Sequence, residues 1–223
     1  MKITQLKGRS VATIENDTHI SRWVLESGKL DHDQNTLPLL NPYIHKGFTV
    51  VDVGAFIGDH TEHYVNRVGR TGKVYAFEPN PPAFECLKYN MDRYPNVACL
   101  NFGASDKSHG MALATDPNMG ASHAVDGNAV KCITIDSLEL AECHFIKMDC
   151  EGMEIKALDG AKATIAKHRP TMLIEVNRGA LKRQGASAEA LFMWLDVHGY
   201  TYGNIYKGQG MTDEQLDILC IPK

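Results

Sequence analysis

Three carboxylates fall within six residues in Asp149-Cys150-Glu151-Gly152-Met153-Glu154, directly after the apolar run Phe145–Met148. Carboxylates this close repel one another, and a merely solvated group would be spread along a helix face. Two chemistries call for such crowding. A carboxyl whose pKa is raised by its neighbours and by burial can accept a proton from a substrate. Alternatively, hard oxygen ligands gather around Mg²⁺ or Ca²⁺, which lowers the pKa of a bound hydroxyl. Glu175 and Asn177 close the later run Ile174-Glu175-Val176-Asn177 and are placed to complete either arrangement. The candidate catalytic residues are therefore Asp149, Glu151 and Glu175, and the candidate ligands of a divalent cation are Asp149, Glu151, Glu175 and Asn177. Lys147, two positions before Asp149, is expected to neutralise the cluster rather than react.

Histidines are the competing bases. His60 and His63 are three apart on an expected helix and share a face, but no further ligand pattern accompanies them. His109 and His123 lie in a small, polar segment over 108–129 that is expected to be a hairpin or mobile loop at the substrate edge. His144 precedes an apolar run and is expected to be a surface or a satisfied histidine.

A second constellation concerns a ligand. In Val51-Asp52-Val53-Gly54-Ala55-Phe56-Ile57-Gly58 an apolar run turns sharply into a helix near Asp59, and Gly54 and Gly58 permit both the bend and close approach of a ligand. Glu78 closes the next apolar run in Phe77-Glu78-Pro79-Asn80, about where an acidic residue accepts hydrogen bonds from ribose hydroxyls. Gly103-Ala104-Ser105-Asp106 offers a small polar turn able to bracket an adenine. A dinucleotide fingerprint fails, because Phe56 and Asp59 stand where its second and third glycines belong, and no phosphate-cradling lysine follows. Asp52, two residues before the first glycine, would repel a pyrophosphate and attract the cationic end of S-adenosylmethionine.

These residues need a frame. Short apolar runs at 48–53, 73–77, 97–102, 145–148 and 171–176 suit strands covered on both faces. Asn80 before Pro81-Pro82 starts one intervening helix, Ile155, Leu158 and Ile165 form a stripe on another between 152 and 168, and a third runs from near Ser187 to Gly199. The alternation predicts a doubly wound α/β sheet with ligands beyond the carboxyl ends of its strands. Residues 1–46 are expected to form an extension, a short hairpin and a helix, packed on a core domain over 47–223. An apolar strand near 218–221 is expected to be either central or dimer-forming, so a homo-oligomer is compatible with the pattern.

With these residues in place the chain resembles the FkbM-type family of S-adenosylmethionine-dependent methyltransferases over roughly residues 48–200. The resemblance rests on the 51–58 turn, Ala76-Phe77-Glu78-Pro79-Asn80, Ala104-Ser105-Asp106 and, most distinctively, Ile146-Lys147-Met148-Asp149-Cys150-Glu151-Gly152-Met153-Glu154. It implies a mostly parallel, seven-stranded Rossmann-like sheet of the class I methyltransferase type. It also implies methyl transfer to a hydroxyl of a sugar, polyketide or similar small molecule or glycan. Carried over by position, Asp52, Gly54, Ala55, Gly58, Glu78, Asn80, Ser105, Asp106 and Asp149 would contact S-adenosylmethionine, and Asp149 and Glu151 would border the reacting centre. One departure stands out: Phe56 occupies the place of an Asn in the family's Gly-Ala-Asn turn.

Composition narrows the partners. The alternative on the same fold is a nucleic-acid or protein methyltransferase, and the net charge of −4, which gives no general attraction to a phosphate backbone, disfavours the nucleic acid. No segment approaches the roughly 20 apolar residues of a membrane span, so no membrane partner is expected. Six scattered cysteines without a C-x-x-C pair are expected to be reduced thiols, and the first seven residues carry no apolar stretch of signal-peptide length. Together these predict a cytoplasmic protein.

Overall fold

The computed structural model describes residues 1–31, 33–114, 118–206, 210–211 and 213–223. The chain opens with a hairpin, β1 (Lys2–Leu6) and β2 (Arg9–Thr13), then α1 (Ile20–Ser27) and the short α2 (Leu37–Leu40). The core follows as β3 (Thr49–Val53), α3 (Asp59–Val68), β4 (Lys73–Phe77), α4 (Pro81–Met91) and β5 (Val97–Leu100). A subsidiary group comprises β6 (Gly103–Ala104), β7 (His109–Ala114) and β8 (His123–Ile133). The second half of the core is β9 (Phe145–Met148), α5 (Glu154–Asp159), α6 (Lys162–His168), β10 (Thr171–Asn177), α7 (Arg178–Arg183), α8 (Ala188–Val197), β11 (Tyr200–Asn204) and β12 (Gln215–Pro222).

Seven strands form one sheet in the order β11-β12-β10-β9-β3-β4-β5. The five from β5 to β10 are parallel, and β12 pairs antiparallel with both β10 and β11. This is the expected doubly wound α/β fold. All five residues of β3 are buried, because its neighbouring side chains point into different apolar layers. Val51, Ile146 and Ile174 meet Leu158, Ile165 and Leu191 on one face. Val50, Phe145 and Leu173 meet Leu40, Tyr64 and Val68 on the other. The apolar segment at 218–221 belongs to β12 and lies inside the sheet, between β10 and β11.

Two expected elements end differently. The strand expected over 97–102 stops at Leu100, and after Asn101-Phe102 the chain joins a separate three-stranded sheet in which Ala104 pairs with Ile133. The helix expected between 152 and 168 is split into α5 and α6 at Gly160-Ala161. Gly160 packs so tightly on the Ser105 backbone that a Cβ there would overlap the Ser105 carbonyl, so the break admits the 105 turn. Segment 108–129 is a hairpin of β7 and β8 with an irregularity between Met111 and Ala112; its residues 115–117 lie outside those described.

Residues before β3 are tied to the core by specific hydrogen bonds. The Asn90 side chain in α4 accepts from Ala12 N (2.7 Å) and donates to Ala12 O (2.9 Å) and Ile57 O (2.8 Å), clamping β2 onto the glycine turn. Asp17 accepts from Ser21 N (2.7 Å) at the start of α1 and from Met119 N (3.1 Å), joining that helix to the β7–β8 connection.

The turn after β3 depends on its glycine. Gly54 has φ of 78°, and a Cβ there would overlap the Asp149 carbonyl oxygen, so the ends of β3 and β9 approach as only glycine allows. Gly54→Ala should therefore cost about 2–4 kcal/mol, combining left-handed strain with overpacking. Urea unfolding of the variant checks this; unchanged stability would mean the two strand ends are not in contact.

Candidate active site

The carboxyl ends of β3, β4, β9 and β10 open into one cavity of about 580 Å³. Its wall includes Gly54, Phe56, Glu78, Asn80, Asp149, Glu151 and Glu175, so both constellations found in the sequence face the same space. The cavity sits where helices change sides between β3 and β9, the place at which open α/β sheets bind ligands.

The nucleotide-like end is built around Glu78. Its carboxylate accepts from Phe56 N (2.7 Å) and Asn80 N (2.8 Å), so it braces both turns as it faces the cavity. Burial pushes its carboxyl up to about 7, against the lowering effect of those two amides. The bond to Phe56 matters because Phe56 is a non-glycine residue with φ of 48°, a strained conformation that must be held. Asn80 precedes α4, but its side chain makes no cap hydrogen bond. Its Nδ2 is buried without a partner among the described residues. Phe77, Phe102, Met111 and Leu113 give this end an apolar lining.

Several expected ligand residues support the cavity rather than line it. Asp52 is fully buried beneath the turn and accepts from Thr61 Oγ1 at 2.6 Å. Ala55 and Gly58 pack behind it, with Gly58 set against Leu87 and Met91. Ser105 and Asp106 do not reach the cavity: Ser105 N bonds to Ile133 O (3.0 Å), its Oγ faces Asp106, and Asp106 is exposed. The wall there is Phe102, Gly103 and Ala104, because pairing of β6 with β8 turns the chain away after Ala104.

The acidic end is dense. Carboxylate oxygens of Asp149, Glu151 and Glu175 lie within 4.8 Å of one another. Glu151 reaches the cavity through a left-handed backbone (φ 53°). Glu154, the third carboxylate of the motif, turns back instead: it accepts from Cys150 N (3.1 Å) and Gly152 N (3.2 Å) and holds the loop that presents its neighbours. Asn177 caps α7 through a bond from Ala180 N (3.0 Å) and lines a smaller adjoining hollow of which Glu151 is also a wall. Burial, then Asp149 and Glu151, raise Glu175 well above the ordinary carboxyl range, while a bond from Gln215 opposes the shift.

Lys147 balances this charge. Its Nζ donates to Gly54 O (2.9 Å) and lies 3.4 Å from Asp149 and 3.9 Å from Asp52. Burial disfavours its charge, but the carboxylates of Asp149, Asp52, Asp59 and Glu175 outweigh it and hold the ammonium above its usual range.

The sequence did not single out the remaining walls. From β12 come Gln215 and Asp217, the latter pushed up to about 6 by burial and by Asp149. From the N-terminal segment come His19, Ile20, Trp23, Asp33 and Thr36. Thr36 Oγ1 meets Tyr206 OH at 2.6 Å, and that hydroxyl donates to Asp217 at 3.3 Å, a link that crosses from the extension to β12. His60 lines the cavity with Nε2 3.4 Å from Asp33, whereas His63 does not. His144 is a satisfied histidine, accepting from Thr49 N (3.0 Å) and stacking on Phe48. The period-two pattern Gln215-Leu216-Asp217-Ile218 was the available signal for β12.

This geometry agrees with what the chain is similar to. The methyltransferase FkbM domain family matches residues 52–202, which span the turn, Glu78 and the acidic motif. The chain belongs to that family. The hexuronic acid methyltransferase AglP of Haloferax volcanii is 31% identical over 137 residues, 57% of this chain and 56% of that protein. The FkbM methyltransferase structure from Methylobacillus flagellatus aligns with 95% of this chain and 56% of its own at 18% identity and a TM-score of 0.54. The chain thus spans just over half the length of each. A Streptococcus mutans structure in complex with SAH aligns with 83% of this chain and 94% of its own at 12% identity and a TM-score of 0.53. Among the described residues no helix is long and apolar enough to cross a membrane.

Lys147→Met should destabilise the protein by about 3–5 kcal/mol, since it strands buried carboxylates. Asp52 is already raised by burial, and losing its cation raises it further, so the variant's deficit should grow as pH rises and shrink as protonation relieves it. Urea unfolding at pH 5 and pH 8 measures this, and an equal deficit at both would refute the charge account.

Proposed function

We propose that this chain transfers the methyl group of S-adenosylmethionine to a hydroxyl oxygen of a sugar or glycan acceptor. One observation carries the proposal: a single cavity joins a glycine turn and Glu78 to three converging carboxylates. The FkbM family match and the hexuronic acid methyltransferase relative support it.

The donor's nucleoside fits the apolar end, with adenine against Phe102, Met111 and Leu113 and ribose hydroxyls at Glu78. The carboxylate has lone pairs beyond those taken by two amides, and the unpartnered Asn80 Nδ2 offers a donor. The donor supplies an electrophilic methyl on a sulfonium. This chain's residues align the acceptor hydroxyl, exclude water and remove one proton as the oxygen attacks. Asp149, Glu151 and Glu175 act as one proton-accepting unit rather than as independent groups. The same oxygens would also suit a hard divalent cation that acidifies the hydroxyl, which is the second reading of the cluster.

S-adenosylhomocysteine should bind the purified protein in a calorimetric titration. Absence of binding at hundreds of micromolar would reject the proposal. Because ribose hydroxyls favour the ionised form of a carboxyl held near 7, affinity should fall towards tenfold per pH unit below about 7 and level off above it. Glu78→Gln should flatten that slope and weaken binding by about 1–3 kcal/mol. Glu151→Gln should lower kcat by about 10²-fold or more while leaving donor binding nearly intact. Activity surviving exhaustive chelation would assign the carboxylates to proton transfer, and its loss with rescue by Mg²⁺ would assign them to a cation.

A further inference from the structure

Beside the main cavity lies a polar hollow of about 290 Å³ that shares Asn118, Glu151 and Gln215 with it. Its other walls include His123, Asn177 and Arg183. The two spaces therefore meet at a wall that includes Glu151.

The charges around the pair are lopsided. Asp149, Glu151, Glu175 and Asp217 face the reacting end, and any anionic acceptor placed among them would be repelled. Among the described lining residues, two side chains are permanent cations. Lys147 is buried and committed to Gly54 O, Asp149 and Asp52. Arg183 is half-exposed, and its guanidinium lies 3.6 Å from Glu151, too long for a hydrogen bond. A planar guanidinium can take a second carboxylate in a bidentate grip.

Arg183 is also held in place. Gln184, the next residue, donates to Ala124 O at 2.7 Å, which anchors the end of α7 that carries Arg183 to the start of β8, where His123 lines the same hollow. Amide side chains of Asn118 and Gln215 complete a lining suited to hydroxyl groups.

We propose that this hollow is the acceptor subsite and that Arg183 there grips the carboxylate of a uronic acid, so that the sugar's hydroxyl is delivered to Glu151 and its neighbours. This rests on the sugar methyltransferase reading and adds to it a charge requirement and the residue that imposes it. The arrangement lets an acidic centre accept an acidic sugar: the anion stays at the outer cation, and only the neutral hydroxyl enters the carboxylate cluster.

Binding of methyl β-glucuronide and methyl β-glucoside to the S-adenosylhomocysteine-saturated protein tests this by calorimetry. Wild type should prefer the glucuronide by at least tenfold. Arg183→Gln should abolish that preference, losing 10- to 100-fold for the glucuronide and less than threefold for the glucoside, and Arg183→Lys should recover part of it. Donor affinity measured in parallel reports whether each variant is folded. A wild type that binds the donor product without preferring the glucuronide would overturn the subsite, as would an Arg183→Gln variant that retains the preference or loses both sugars equally. Failure of the wild type to bind S-adenosylhomocysteine would instead overturn the methyltransferase reading itself.

Discussion

A buried ammonium stands at the centre of this molecule. Lys147 reaches from β9 to the carbonyl of Gly54 at the end of β3 and lies close to Asp52 and Asp149. The two strands it joins are those between which the sheet opens, and the acidic residues it faces belong to the glycine turn on one side and the 149–154 motif on the other. Without a cation at that point, the carboxylates could not all be kept at the floor of one cavity.

The two ends of the cavity follow opposite physical rules. At the donor end, Glu78 uses both oxygens on backbone amides and so shapes the turn it serves, including the strained Phe56. At the acceptor end, Glu154 takes over the structural task by holding the loop, which leaves Asp149 and Glu151 to face the cavity. Crowded carboxylates therefore divide into those that build and those that face the ligand, and the division is made by which backbone amides lie within reach.

Much of the donor half was legible from sequence because it is local. Gly54 and Glu78 follow directly on strands whose apolar runs mark their ends, and a parallel sheet brings strand ends together. Ser105 and Asp106 lie outside the cavity lining because their direction depends on the pairing of Ala104 with Ile133, a partner far along the chain. Glu154 and Glu151 differ in direction because of left-handed backbone at Glu151 and Gly152, which residue type at Glu151 does not announce. Gln215 and Asp217 reach the cavity only because β12 returns antiparallel beside β10, with Asp217 opposite Glu175. The walls from α1 and from 33–36 rest on tertiary hydrogen bonds with no short-range pattern.

The β7–β8 hairpin pairs with β6 and with nothing in the seven-stranded sheet. Its side chains nevertheless wall both the apolar end of the cavity, through Met111 and Leu113, and the outer hollow, through His123. Changes of length or side chain in this flap would therefore alter the cavity walls without disturbing strand register in the seven-stranded sheet.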